Sequence, residues 1–255
     1  MTGSLSPAAR LLLFLCRKPG SADYPMQGVH YEEGKELDQL EEAFPNITGE
    51  VAGKVVADWG CSYGHQTVAL AGRAKRVYGI DINDSFLAAG KRLAESRGVA
   101  DRVIFAPRVP EGVKCDAIIT RNSFEHFMHP EETLADMAAA LEAGGRIYIT
   151  FAPPWYAPWG AHMAFFCKVP WVHLVFSEKA VMEARSMFRS DEAGTYSEAG
   201  LARMSVSKFE RVVERSGLRI VWKRYDCIKG MNWLASTPLR EPTVNRVNSI
   251  LEWTR

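Results

Sequence analysis

Apolar and polar positions change rhythm repeatedly from Lys54 onward. Residues 54–60, KVVADWG, are an apolar, β-branched run that stops at glycine. Residues 65–73, HQTVALAGR, continue with helical spacing. The alternation recurs: RVYGIDIN (76–83) predicts a second strand, and DSFLAAGKRLAESRG (84–98) predicts a helix that stops at glycine. RVIFAP (102–107), CDAIITR (115–121) and RIYITFAP (146–153) predict three more strands. Between the last two, PEETLADMAAALEAGG (130–145) predicts a helix with proline near its start, acids in its first turn and glycines at its end.

Regular alternation then stops. Residues 154–204 are rich in Trp, Phe, Pro and Met. It resumes with SVSKFERVVERSG (205–217), a helix in which Ser207 and Glu210 have capping-box spacing. RIVWKRYDC (219–227) and NRVNSILEW (245–253) predict the sixth and seventh strands. Short βα units in succession imply parallel strands joined by right-handed crossovers, hence an α/β, doubly wound sheet that binds ligands at the carboxyl ends of its strands. The expected organisation is an N-terminal helical or lid segment over 1–53, then a main domain over 54–255 with an aromatic-rich insertion at about 154–204.

Composition narrows the partners. The 255 residues carry a formal charge of +1 and no dense Lys/Arg cluster, which argues against a nucleic-acid binder. AARLLLFLCRK (8–18) is too short to span a bilayer and reads as a helix. The apolar run 161–176 is interrupted by Lys168, Pro170 and two histidines, so no stable membrane insertion is expected, although its apolar surface offers a homodimer face. Five scattered cysteines without metal-knuckle or redox spacing read as a reduced, cytoplasmic protein.

The candidate chemistry begins at DWGCSYG (58–64). Glycine admits positive φ and lets a ligand approach the main chain, and the following helix offers free amides. Asp81, at the end of the second strand, has the chemistry to accept both hydroxyls of a ribose, which points to a nucleoside-like ligand. A dinucleotide fingerprint needs G-x-G-x-x-G, but its second and third glycine positions hold Ser62 and His65. The D-x-G-x-x-x-G spacing suits a nucleoside with an amino-acid end. The competing readings are a glycine turn that is only a turn, and a nicotinamide-dependent oxidoreductase.

VVADWGCSYG, VYGIDIN, CDAIITRNSFEHFMHPEETL and LEAGGRIYITFAPP, in this order and spacing across about 54–154, resemble the class I S-adenosylmethionine-dependent methyltransferases, above all the branch acting on small molecules. The resemblance implies a Rossmann-like, seven-stranded sheet with an antiparallel last strand. The implied cofactor is S-adenosyl-L-methionine, with S-adenosyl-L-homocysteine as product. By position, Asp58, Gly60, Cys61, Ser62 and Gly64 would surround the methionine end, Asp81 would hold the ribose, Ile82 would lie against adenine, and Asn122 and Ser123 would floor the pocket near the sulfonium. Two departures stand out: Ser62 replaces a usual glycine, and FAPRVPEGVKCD has no acid directly after the third strand for the adenine amine.

Methyl transfer to an alcohol needs alignment, exclusion of water and a proton acceptor. His126, beside Glu125 just past the fourth strand, and His162, on the rim after the fifth, are the candidate bases, with oxygen as the first choice of acceptor atom. Similar Glu-His pairs follow a further glutamate in the ubiquinone-biosynthesis O-methyltransferases, and some relatives bind a divalent metal there. Here that position is Asn122, a poor magnesium set, so no metal is expected. Trp155, Tyr156 and Trp159 are candidate apolar walls for a small-molecule acceptor, and Tyr31 a candidate contact from the N-terminal segment. A protein that binds the cofactor without transferring methyl is the alternative from another class.

Overall fold

Side chains alternate along the central strands. Val56 and Ile119 join the hydrophobic cluster on one face, whereas Ala57 and Ile118 join the cluster on the other. A sheet apolar on both faces must carry helices on both. The computed structural model describes residues 5–16 and 34–253 and has that architecture. Its strands are β1 (Val55–Trp59), β2 (Arg76–Ile80), β3 (Val103–Ala106), β4 (Cys115–Arg121), β5 (Leu141–Phe151), β6 (Leu218–Cys227) and β7 (Val244–Trp253). They form one sheet in the order β3-β2-β1-β4-β5-β7-β6. β1 to β5 are parallel, and β7 runs antiparallel between β5 and β6. The order reverses between β1 and β4, where an open α/β sheet leaves a crevice.

The helices are α1 (Pro7–Leu15), α2 (Glu36–Ala43), α3 (Ile47–Glu50), α4 (His65–Leu70), α5 (Asp84–Ser96), α6 (Pro130–Ala140), α7 (Val172–Val175), α8 (Glu178–Arg185), α9 (Val206–Arg215) and α10 (Arg240–Thr243). α2 to α5 bury Leu40, Phe44, Ile47, Leu70 and Leu87 on one face. α6 and α9 bury Leu134, Met137, Phe209 and Val212 on the other. The insertion has a core of its own, built from Trp155, Phe166, Val181 and Tyr196, into which α1 sends Leu12. The N-terminal segment is therefore divided: α1 packs with the insertion, α2 and α3 with the sheet.

Three expectations change. The helix α6 ends at Ala140, because Leu141 is already paired with Cys115 at the start of β5, ahead of a register irregularity. The cap of α9 is Ser205, whose hydroxyl accepts from the Lys208 amide. Glu210, expected to close a capping box, instead accepts from Tyr225, Lys223 and Arg240. The five cysteines are not all reduced: Cys16, just past α1, is joined to Cys167 in the insertion, and Cys61, Cys115 and Cys227 are free. A pair 151 residues apart has no local spacing to betray it. No helix among the described residues is long and apolar enough to cross a membrane.

Candidate functional site

The glycine turn is held at the switch point by its own backbone. The amides of Gly60 and Cys61 both donate to the Ile80 carbonyl, at 2.8 and 2.9 Å, and so tie the end of β1 to the end of β2. Gly60 has φ +78°, and a Cβ there would lie 2.6 Å from the side chain of Ser123. Gly64 has φ +79° at the start of α4, and its Cβ would strike the Phe105 ring at 2.6 Å. Both positions thus combine a left-handed backbone with a close neighbour, and both conditions call for glycine. Ser62 is left-handed as well, at φ 49°. Its amide donates to Asp81 Oδ2 at 2.9 Å, and Asp81 Oδ1 accepts from Asn83 at 2.9 Å.

A crevice of about 690 Å³ opens beside this turn. Gly60, Asp81 and Ile82 line it, with Pro107, Arg108 and Val109 after β3 and His126 and Phe127 after β4. Ile82 is 94% exposed. Its side chain adds apolar surface to the crevice wall directly beside the Asp81 carboxylate.

Asp58 does not face the crevice. It is 2% exposed, and both of its oxygens are taken, Oδ1 by Gln66 Nε2 and Oδ2 by Thr67 Oγ1, each at 2.6 Å. Arg121 Nε donates to Gln66 Oε1 at 2.7 Å, which carries the network on to β4. Burial pushes the Asp58 carboxyl up to about 6 against the lowering effect of Thr67, Gln66 and Arg121. This carboxylate braces the turn from beneath. Cys61 is also buried, with its thiol toward the Ser62 carbonyl, and burial raises its pKa. Asn122, at φ 52°, donates its amide to the Thr150 carbonyl, and the Ser123 hydroxyl donates to the Gly60 carbonyl at 3.1 Å. These residues shape the turn.

A second group lies past β4. Phe124 is fully buried among Phe127, Phe151 and Phe209, which pins the single 3-10 turn Phe124–His126 to the core. Glu125 follows, 4% exposed, with Oε1 3.4 Å from the Ala152 amide and Oε2 without a partner. Burial pushes its carboxyl up to about 8. His126 Nδ1 lies 2.8 Å from the Gly200 carbonyl. A carbonyl only accepts, so Nδ1 carries the proton and Nε2 presents a bare lone pair. His162 reaches the same place from the insertion. The chain folds back tightly there: Gly160 has no room for a Cβ, which would lie 2.0 Å from the Trp155 carbonyl oxygen, and His162 sits at φ 56°. The His162 ring hydrogen-bonds the backbone of Pro153, which has only a carbonyl to offer, so its other nitrogen is bare. The two rings are 5.2 Å apart. Burial lowers the pKa of both imidazoles, that of His162 to about 3 with further lowering from His126 and His173. The structure thus gathers Glu125, His126 and His162, with one donor atom of each within 4.8 Å of the others.

The expected aromatic walls are placed differently. Trp155 is 8% exposed and packs edge-on against His173 and Tyr196, so it is core of the insertion and not a wall of the site. Tyr156 and Trp159 are exposed on the insertion, and neither lines the crevice. Tyr31 lies outside the described residues. Crevice residues not foreseen from sequence include Trp59, Val109, Glu111 and Met128. Trp59, between Asp58 and Gly60 of the motif, was within reach of sequence reasoning; Glu111, five residues beyond the end of β3, had no positional signal.

Residues 57–149 match the family described as "Methyltransferase domain". The ribosomal protein L11 methyltransferase of Vibrio parahaemolyticus is 38% identical over 73 residues, 28% of this chain and 25% of that protein. The S-adenosyl-L-methionine-dependent Diels-Alderase iccD of Talaromyces variabilis is 28% identical over 119 residues, 44% of this chain and 41% of that protein. The chain therefore spans from a quarter to two-fifths of the length of these curated relatives. An S-adenosylmethionine-dependent methyltransferase from Clostridium acetobutylicum shares the fold, with TM-score 0.58 at 12% identity over 89% of this chain and 94% of that one.

Proposed function

We propose that this chain, whose residues 57–149 match a methyltransferase-domain family, binds S-adenosylmethionine in the crevice and transfers its methyl group to a hydroxyl oxygen of a small, partly apolar acceptor. The observation that carries the reading is the pairing of Asp81 with the bare Ile82 on the crevice wall. An ionised carboxylate has lone pairs beyond those already used by the Ser62 and Asn83 amides, and these accept the two ribose hydroxyls. Adenine covers Ile82 and removes its apolar surface from water. The Gly60–Gly64 turn brings main chain against the amino-acid end, with Asp58 fixing its shape from below. The methyl carbon then points toward the turn after β4, where Glu125, His126 and His162 converge. Transfer is an in-line displacement at that carbon, and the acceptor hydroxyl loses its proton at this cluster, where desolvation lowers the pKa of both imidazoles. The near-neutral chain and its apolar insertion favour a small acceptor over nucleic acid.

A second reading is favoured by the similarity to iccD: the cofactor is bound and not consumed, and the site guides a cycloaddition within its substrate. Calorimetric titration with S-adenosylhomocysteine tests what both readings share. Wild type should bind, and Asp81→Ala should bind at least tenfold more weakly; absence of binding to wild type would sink both. Release of S-adenosylhomocysteine from S-adenosylmethionine during incubation with hydroxylated apolar compounds then separates them, since only methyl transfer produces it.

A further inference from the structure

We infer that Glu125, His126 and His162 form a binding site for a divalent transition-metal ion of the borderline kind, such as Zn²⁺ or Fe²⁺. Sequence spacing argued against a metal because it offered Glu125 and His126 with only the Asn122 amide beside them, an oxygen-poor set for magnesium. The fold supplies a different third member. His162 arrives from the insertion, 36 residues away from His126, and changes the set to two imidazoles and one carboxylate. That composition suits a borderline ion, and three protein ligands leave coordination positions open.

The surroundings of the cluster are those of a ligand set. Each imidazole has one nitrogen committed to a backbone carbonyl, His126 to Gly200 and His162 to Pro153. Such a bond fixes the tautomer and turns the other nitrogen's lone pair outward, as is usual for metal-bound histidine. Glu125 is nine-tenths buried and more, yet its Oε2 has no hydrogen-bond partner. A buried carboxylate oxygen without a partner is costly and demands an explanation. A cation bound to that oxygen supplies one. The donor atoms lie within 4.8 Å of one another. Ligands about 2.1 Å from a tetrahedral zinc stand about 3.4 Å apart, so the cluster closes by side-chain rotation of about an ångström. His126 also lines the crevice, which puts the open positions on the ligand side. With the ion bound, an acceptor hydroxyl on such a position would be acidified by it and release its proton to solvent, because the ligands' lone pairs are then occupied; that role rests on the methyl-transfer reading, and the binding of the ion does not.

The test is a titration of the chelator-treated full chain with Zn²⁺ alone, without cofactor, so that it stands apart from the S-adenosylhomocysteine experiment. Wild type should take up one tight equivalent per chain. Glu125→Gln and His162→Ala should each weaken it at least tenfold, and His129→Ala, which removes a neighbouring surface histidine, should leave it unchanged. Circular dichroism shows whether each variant is folded, and His162→Gln replaces His162→Ala if the latter is not. Cobalt substitution provides a second readout: its absorption should show nitrogen and oxygen ligation with no thiolate charge-transfer band. Failure to bind one equivalent, equal binding by the folded Glu125 and His162 variants, or a thiolate band from a free cysteine would each overturn the assignment.

Discussion

The turns after β1 and β4 each bury a carboxylate, and the two are furnished in opposite ways. Asp58 is 2% exposed and meets a side-chain donor at each oxygen, with Arg121 standing behind one of them. Glu125 is 4% exposed and is met only by backbone amides, that of Ala152 at 3.4 Å, while its second oxygen has no hydrogen-bond partner and the His126 and His162 rings stand beside the carboxyl. Both lie at the carboxyl ends of adjacent parallel strands, both have desolvation as the first cause of a raised pKa, and neither is explained by burial alone. The difference is in who satisfies the group. A carboxylate satisfied by its own chain is part of the scaffold; one left half-satisfied beside other donors is available to something that arrives.

The largest expected effect on that contrast comes from pH. Burial raises the folded-state pKa of Asp58 from 3.8 to about 6. The folded protein therefore keeps a proton that the unfolded chain releases between those values. The stabilising contribution is fully present below about pH 4 and is lost as pH rises through about 6. Two pKa units correspond to about 3 kcal/mol. Urea midpoints measured from pH 4 to pH 7 should show this slope in wild type and a flatter one in Asp58→Asn. Identical slopes would mean that Asp58 titrates in the fold as it does in the unfolded chain, and its place as a buried brace would fall.

Next in size is removal of one donor. Thr67 is fully buried and gives its hydroxyl to Asp58 at 2.6 Å. Thr67→Val keeps the shape and withdraws the hydrogen bond, which should cost about 2 kcal/mol near neutral pH, read from the same urea midpoints. An unchanged midpoint would show that the network around Asp58 is geometry without energy.

The two turns also differ in how far the sequence discloses them. The glycine turn is legible because everything that makes it is local: Asp58, Gly60 and Gly64 fall within one short stretch, and Asp81 ends the next strand. Continuous apolar runs in β1 and β4 likewise announce a sheet buried on both faces. What sequence misreads is what the third dimension decides. Asp58 looks like a ligand contact until it is seen to lie buried beneath the turn, turned toward Gln66 and Thr67 on the first turn of α4 and away from the crevice. Trp155 looks like a pocket wall, yet it anchors the core of the insertion. His162 meets Glu125 only because the insertion folds back over the end of β5, and Cys16 meets Cys167 only because α1 leaves the rest of its N-terminal segment to pack there. No periodicity encodes such meetings, since they join segments whose local patterns are independent.

The smallest effect is expected at Glu125, and its smallness is the point. Glu125→Gln preserves size and shape and gives up only a contact of 3.4 Å, at the long limit for a hydrogen bond. At pH 4, where the Glu125 carboxyl is protonated in the folded and the unfolded chain alike, the metal-free fold should therefore change by less than about 1 kcal/mol, although Glu125 is nearly as buried as Asp58. The same substitution should remove most of the affinity for Zn²⁺. Scaffold and site would then be separated by experiment: one variant loses stability and keeps the ion, the other keeps stability and loses the ion. A stability loss at Glu125 matching that at Thr67 would mean that its orphaned oxygen is supported in the folded protein after all, and the contrast between the two turns would disappear.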